Sequence, residues 1–447
     1  MIKVITYGTF DLLHEGHIRL LKRAKQLGSY LIVGVTSDDF DKARGKINVQ
    51  QSLYERVEAV KTLGIADEII IEEYEGQKID DICKLNIDIF TVGSDWIGKF
   101  DYLKRYCDVV YLERTEGISS SDIRAKKHTL NLGFVGDTYV LEKYLNESSF
   151  VNGVNVAGIY AENTEKLSDI LKSIPFVAKN YDELLNQVDA VLIYSNPQDR
   201  AKYAKVALSK GKHVLCASPV ALTESTSKEL FDLAKSNNCT IMEAIKTAYF
   251  TAYSRLLLLI KSGVIGEIVS VDTTCTSLKK TAISFMNIQN EEWGSLKTWG
   301  PIAVLPIFQI LGTEYKDKRI VTKLAKDNGV DEFTKIDFIY PNAVASLKVG
   351  TGAKAEGDLV ISGTKGYIYV PAPWWKTDYF EVRYEDFTNN KRYFYHLDGE
   401  GLRYEIAAFT KTIESIKLNF YIDTSITYGI SRLMNDFDNR TDTFLLN

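Results

Sequence analysis

Apolar and polar positions alternate in blocks along the first part of the chain. Val4-Ile5-Thr6-Tyr7 is a short apolar run that predicts a buried strand. Behind it, Ile18, Leu21, Ala24 and Leu27 recur at helical spacing, and Gly28 predicts the helix stop. Tyr30–Val35 predicts the next strand, Arg56–Leu63 a helix, Glu68–Ile71 a strand, Ile79–Leu85 a helix, Ile87–Gly93 a strand, and Val109–Leu112 the last strand. Between Ser37 and Gln51 the chain is polar and reads as a loop. This alternation predicts a parallel, doubly wound sheet, whose ligands sit beyond the carboxyl ends of the strands.

A short polar link, Ala125–Thr129, holds no Pro or Gly and predicts a tight join. A second alternating region follows it. Leu132–Gly136 reads as a strand and turn, Val154–Tyr160, Ala190–Tyr194 and His213–Cys216 as strands, and Lys202–Gly211 as a helix closed by glycine. The stretch from Tyr367 to Tyr395, with Trp374-Trp375, is rich in aromatic residues. It suits a buried sheet face better than an interface, because aromatic strands more often pack inward.

Bulk properties narrow the picture. A chain of 447 residues holds two or three domains. Its net charge of −5 argues against a general binder of nucleic acid or anionic membrane. Cys83, Cys107, Cys216, Cys239 and Cys275 are scattered and read as reduced, mostly buried residues. No apolar run reaches the length of a membrane span, and Met1–Val4 lacks a signal-peptide core, so the expected location is the cytoplasm.

Two of the five histidines stand in Gly8-Thr9-Phe10-Asp11-Leu12-Leu13-His14-Glu15-Gly16-His17, where a strand gives way to a helix N-terminus. Backbone N–H groups and the helix dipole favour an anion there. This signature resembles that of the nucleotidyltransferase superfamily. Val92–Asp101 and Arg114–Ser121 further resemble segments of the glycerol-3-phosphate cytidylyltransferases, and the likeness covers residues 1–128. The resemblance implies a Rossmann-like domain that joins CTP to sn-glycerol 3-phosphate with Mg²⁺, releasing pyrophosphate and CDP-glycerol for teichoic-acid-like or capsular polymers. It further implies that Thr9, Phe10, His14, His17 and the segment Arg114, Thr115, Glu116, Gly117, Ile118, Ser119, Ser120 and Ser121 contact CTP, with Lys46 on its phosphates. His14, His17 and Arg114 would carry catalysis. Arg44 and Lys78 would hold the phosphate of the polyol substrate. Arg44 stands where the family more often has lysine, which leaves another polyol phosphate, such as glycerol 2-phosphate, open. Asp11 and Asp95 suit magnesium or cytidine-ribose contacts, and equally the capping of a turn. The metal ligands are not assigned.

Val188–Ile193, Ala207–Leu215, Gly263–Ile268, Val360–Ile368 and Gly399–Glu405 resemble the glucose–fructose oxidoreductase and inositol dehydrogenase family. The resemblance implies a second Rossmann-like domain over 130–245 and, over 246–447, an α/β domain with a mostly antiparallel open sheet. That family uses a nicotinamide cofactor, yet its fingerprint is broken here. Thr138 stands at the second glycine of Gly136-Asp137-Thr138, and Asp137 brings negative charge towards the phosphates. Ala217-Ser218-Pro219 replaces Glu-Lys-Pro, and the acid–base segment falls on Pro301–Leu305. NAD(P) is therefore not expected, and the region reads as a scaffold or docking module. The alternative is a bifunctional enzyme whose second half reduces a precursor to the polyol phosphate. Both families commonly self-associate, so a homodimer is expected.

Overall fold

The computed structural model describes residues 1–43, 49, 51, 53–74, 76–113, 129–151, 153–278, 293–326, 329–395, 397–415 and 421–446. The chain forms two compact units, Met1–Thr129 and Leu130–Asn447.

In the first unit, strands β1 (Lys3–Gly8), β2 (Tyr30–Thr36), β3 (Glu68–Glu72), β4 (Ile89–Gly93) and β5 (Asp108–Leu112) form one parallel sheet in the order β3-β2-β1-β4-β5. The apolar runs that predicted strands become its buried interior. One face packs Val4, Leu31 and Val33 against Leu21 and Ala24 of helix α1 (Glu15–Gln26). The other packs Ile5, Ile32 and Phe90 with Ile82 and Leu103.

Two local readings change. The polar stretch after β2 opens with a helix, α2 (Asp38–Ala43), not a loop. The Ser37 carbonyl accepts from Asp41 N–H at 2.9 Å and its hydroxyl accepts from Phe40 N–H at 3.2 Å. A capped turn of this kind needs no apolar periodicity. Gly28 follows a helix whose cap, Leu27, is ordinary right-handed backbone. Its glycine is required by close approach: a Cβ would stand 2.6 Å from the Ile2 carbonyl oxygen. Helices α3 (Leu53–Thr62) and α4 (Gln77–Leu85) complete the unit.

The second unit holds two sheets. Strands β6 (Leu130–Val135), β7 (Val154–Tyr160), β8 (Ala190–Ile193), β9 (His213–Ala217) and β10 (Ile241–Ala244) run parallel in the order β10-β9-β8-β6-β7. Nine strands follow in a mostly antiparallel sheet. They are β11 (Ile268–Thr276), β12 (Asp317–Leu324), β13 (Asp331–Ile339), β14 (Val344–Gly350), β15 (Leu359–Gly363), β16 (Tyr367–Val370), β17 (Tyr379–Arg383), β18 (Lys391–Phe394) and β19 (Thr443–Leu446). Their order is β18-β17-β16-β15-β11-β14-β13-β12-β19, with the pairs β11/β14 and β12/β19 parallel. Helix Ser295–Leu311 is mostly buried against this sheet, and Thr273 Oγ1 donates to its Ala303 carbonyl at 2.8 Å. The aromatic stretch divides: Trp374 and Phe380 are fully buried, whereas Phe387 and Phe394 are exposed. Period-2 alternation puts every second strand residue on the open face. Among the described residues no helix is long and apolar enough to cross a membrane.

Candidate active site

His14 is the N-cap of α1, and its Nδ1 accepts the Gly16 N–H at 3.1 Å. A nitrogen that accepts cannot carry the proton, so neutral His14 holds its proton on Nε2 and offers a donor there. His17 lies one turn on, its ring stacked on that of His14 with centroids 3.9 Å apart and planes at 22°. Phe10, with a left-handed φ of 53° and almost no exposure, turns its ring edge to His17 at 5.5 Å. Two imidazoles are thus held together at the positive end of a helix.

The turn that carries them is fixed from below. Thr9 Oγ1 donates to Asp41 Oδ1 at 2.8 Å. Asp11 Oδ1 accepts Gln51 N–H at 2.9 Å, and Gln51 Oε1 accepts Leu12 N–H at 2.7 Å. Arg56 is wholly buried and donates from Nη1 to the carbonyls of Thr9 at 2.6 Å and Thr36 at 2.8 Å. Its Nε donates to the Gln51 carbonyl at 3.1 Å, its Nη2 pairs with Asp38, and Asp41 lies 3.7 Å from Nη1. Sequence reasoning missed Arg56 and its two aspartates. The available signal was a charge at 56 on the same helical face as Val60.

Further along the carboxyl edge, Lys78 opens α4 with its ammonium paired to Glu72 and set over the Tyr7 ring at 4.8 Å. Glu72 also accepts from Thr36 Oγ1 at 2.8 Å. The Tyr7 hydroxyl donates to Asp81 at 2.8 Å, and burial, reinforced by Asp81, pushes its pKa well up. Asp95 sits in the 3₁₀ turn Ser94–Trp96 directly beyond β4. Sheet topology therefore brings His14, His17, Thr9, Lys78 and Asp95 to the ends of neighbouring strands. Arg44, Lys46 and all of Arg114 to Ser121 lie outside the described residues. Among the described residues no group of three or more His, Cys, Asp or Glu is arranged to hold a metal.

The second unit ends its parallel sheet differently. Gly136 has φ 132°, and a Cβ there would stand 2.3 Å from the Tyr194 carbonyl oxygen. Thr138, where a dinucleotide turn needs its second glycine, is buried, and its Oγ1 has no hydrogen-bond partner among the described residues; the same holds for Ser195 Oγ. Ser218 is bonded to Glu243, which also accepts from Thr427 Oγ1 at 2.6 Å. Pro301, Ala303, Val304 and Leu305 lie in the buried helix Ser295–Leu311 and offer no acid or base. Thr138 thus stands in the turn that a dinucleotide-binding fold keeps for glycine, with Asp137 beside it.

Residues 5–126 match the family described as cytidylyltransferase-like, and residues 130–245 the oxidoreductase family with an NAD-binding Rossmann fold. The first unit is therefore a nucleotidyltransferase domain, and through it the chain belongs to the cytidylyltransferase-like family. The glycerol-3-phosphate cytidylyltransferase of Bacillus subtilis (strain 168) is 53% identical over 124 residues, which are 28% of this chain and 95% of that protein. The trans-1,2-dihydrobenzene-1,2-diol dehydrogenase of Oryctolagus cuniculus is 26% identical over 265 residues, 56% of this chain and 79% of that protein. KijD10, a 3-ketoreductase from Actinomadura kijaniata solved with NADP, superimposes with a TM-score of 0.61 at 16% identity, covering 72% of this chain and 100% of that one. That likeness shows the fold of the second unit, a glucose–fructose oxidoreductase and inositol dehydrogenase family region.

Proposed function

We propose that the first unit transfers CMP from CTP to sn-glycerol 3-phosphate. A phosphate oxygen of the acceptor bonds to the α-phosphorus, the bond from that phosphorus to the bridging oxygen breaks, and pyrophosphate leaves with the electron pair. All parties are anionic, so catalysis is alignment and charge neutralisation. The observation that carries this reading is the paired His14–His17 donor site at the α1 N-terminus, in a domain 53% identical to a glycerol-3-phosphate cytidylyltransferase.

His14 and His17 stabilise the non-bridging oxygens together with Arg114. Thr9, Phe10, Asp11, Asp95, Lys46 and Thr115 to Ser121 complete the nucleotide site. Arg44 and Lys78 take the acceptor phosphate, which would draw Lys78 away from Glu72. Mg²⁺ enters on the triphosphate and lowers its charge. We propose further that 130–245 and 246–447 act as separate domains of a cytoplasmic homodimer, and that the second unit transfers no hydride. The test is pyrophosphate release with CTP and a panel of polyol phosphates, with NADH and NADPH titrated separately. Turnover with sn-glycerol 3-phosphate is expected; silence across the panel overturns the reading. Tight dinucleotide binding would restore a bifunctional enzyme.

A further inference from the structure

Three ammonium groups converge on one carboxylate at the carboxyl edge of the second unit's parallel sheet. Lys376 Nζ lies 2.7 Å from Glu400 Oε2, Lys246 Nζ 3.5 Å from the same oxygen, and Lys143 Nζ 3.3 Å from Oε1. Lys246 also donates to the Glu400 carbonyl at 2.9 Å. These residues come from four places. Lys143 lies in helix Val140–Ser148 behind β6, Lys246 just beyond β10, Lys376 between β16 and β17, and Glu400 in the turn before helix Leu402–Ser415. Both sheets of the unit therefore contribute.

The charges in this cluster do not balance. Three cations face one anion, a surplus of two positive charges. Glu147 does not offset it, being held by Arg403 through Nε at 2.8 Å and Nη2 at 3.2 Å. Glu405 is wholly buried, accepts the Tyr144 hydroxyl at 2.6 Å, and is pushed by burial to about 8, which favours its neutral form. Lys246 is depressed to about 8, first by burial and then by the charge of Lys376. Burial raises the Glu400 carboxyl, but the Lys376 hydrogen bond and the charges of Lys246 and Lys143 outweigh it and hold Glu400 at about 2. Crowding like charges in a half-buried site is costly unless an anion compensates.

We propose that Lys143, Lys246 and Lys376 form a binding site for a phosphate monoester dianion, with Glu400 as the internal counter-ion that holds the trio together when no ligand is bound. The two charges of the dianion match the surplus. Its three terminal oxygens can meet three ammonium groups approaching from separate elements, and lysine binds phosphate well as a point charge. The site lies in the second unit and does not depend on the transferase reading of the first.

Calorimetry on the full chain in phosphate-free buffer at pH 7 tests this, with inorganic phosphate and sn-glycerol 3-phosphate as separate probes. For K246M/K376M, removal of two charge-assisted contacts predicts a loss of at least about tenfold in affinity at one site, with pyrophosphate release from CTP retained. E400Q removes the competitor and should tighten the same site severalfold. Tighter binding of the glycerol ester than of inorganic phosphate identifies an organic monoester as the ligand; the reverse identifies free phosphate. Equal affinity and stoichiometry in wild type and K246M/K376M, with unchanged circular dichroism, overturns the proposal. Should K246M/K376M fail to fold, unchanged or weaker binding by E400Q overturns it instead. Loss of CTP turnover without loss of this site would count against the first unit's reading alone.

Discussion

Arg56 in the first unit and Arg200 in the second occupy matching stations. Each is buried, and each gathers backbone carbonyls at the carboxyl end of a parallel sheet: Thr9 and Thr36 for Arg56, Ser195, Ala217 and Pro219 for Arg200. Their counter-charges differ. Arg56 has Asp38 and Asp41 beside it, whereas Arg200 lies over the Trp293 ring at 4.8 Å, and burial lowers its pKa. The turns above them differ in the same sense. The first unit lifts two half-exposed imidazoles onto a helix N-terminus, while the second closes its turn over a buried threonine. One framework thus carries two stacked imidazoles at a helix N-terminus in one unit and a buried threonine in the other. The difference lies in a few side chains at the strand ends.

The comparison breaks most readily at the histidines. His14→Ala or His17→Ala should cost on the order of 100-fold or more in kcat for pyrophosphate release, as the loss of a preorganised donor does, with circular dichroism unchanged; near-normal rates would remove them from the chemistry. Next comes the arginine pair. Arg56→Met removes the guanidinium that faces both Asp38 and buried Asp41 and should cost about 3–5 kcal/mol, whereas Arg200, which makes no ion pair among the described residues and feels only the charge of buried Glu243, should cost about 1–3 kcal/mol on replacement by Met. Urea unfolding of the two variants checks the order, and equal losses would refute the contrast. A third effect follows from Glu405, which burial raises to about 8 from an ordinary 4.5. Folding then takes up a proton between those values. Its contribution to stability is complete below about 4.5 and is lost as pH rises through about 8. Glu405→Gln should flatten the fall in Tm across that range, and an unchanged profile would place the proton elsewhere. The smallest effect belongs to Thr138→Val, which removes a buried hydroxyl that has no partner among the described residues. It should be neutral or stabilise by about 1 kcal/mol, read by the same unfolding curves.

Much of this was legible in the sequence where the information is local. Val4–Tyr7, Tyr30–Val35 and Ala190–Ile193 declare strands by composition, and the His14–His17 spacing declares a strand-to-helix turn. Asp38–Ala43 escaped because its cap is made by Ser37 and not by a periodic apolar face. What could not be read are pairings created by the sheets themselves. Nothing in the chain order links Thr9 to Asp41, Lys78 to Glu72, or Lys143, Lys246 and Lys376 to Glu400. Such contacts appear only once strand order is fixed, and buried charges reveal themselves by their partners.

The guanidinium of Arg56 serves four stretches of chain at once: the Thr9 turn, the end of β2 at Thr36, Asp38 in α2, and Gln51 ahead of α3. Only a planar fork with five donors can reach them together; a lysine, with three donors on a single nitrogen, cannot. Position 56 is therefore closed to the commonest conservative exchange, and a codon change that keeps the charge would still loosen the floor beneath both histidines.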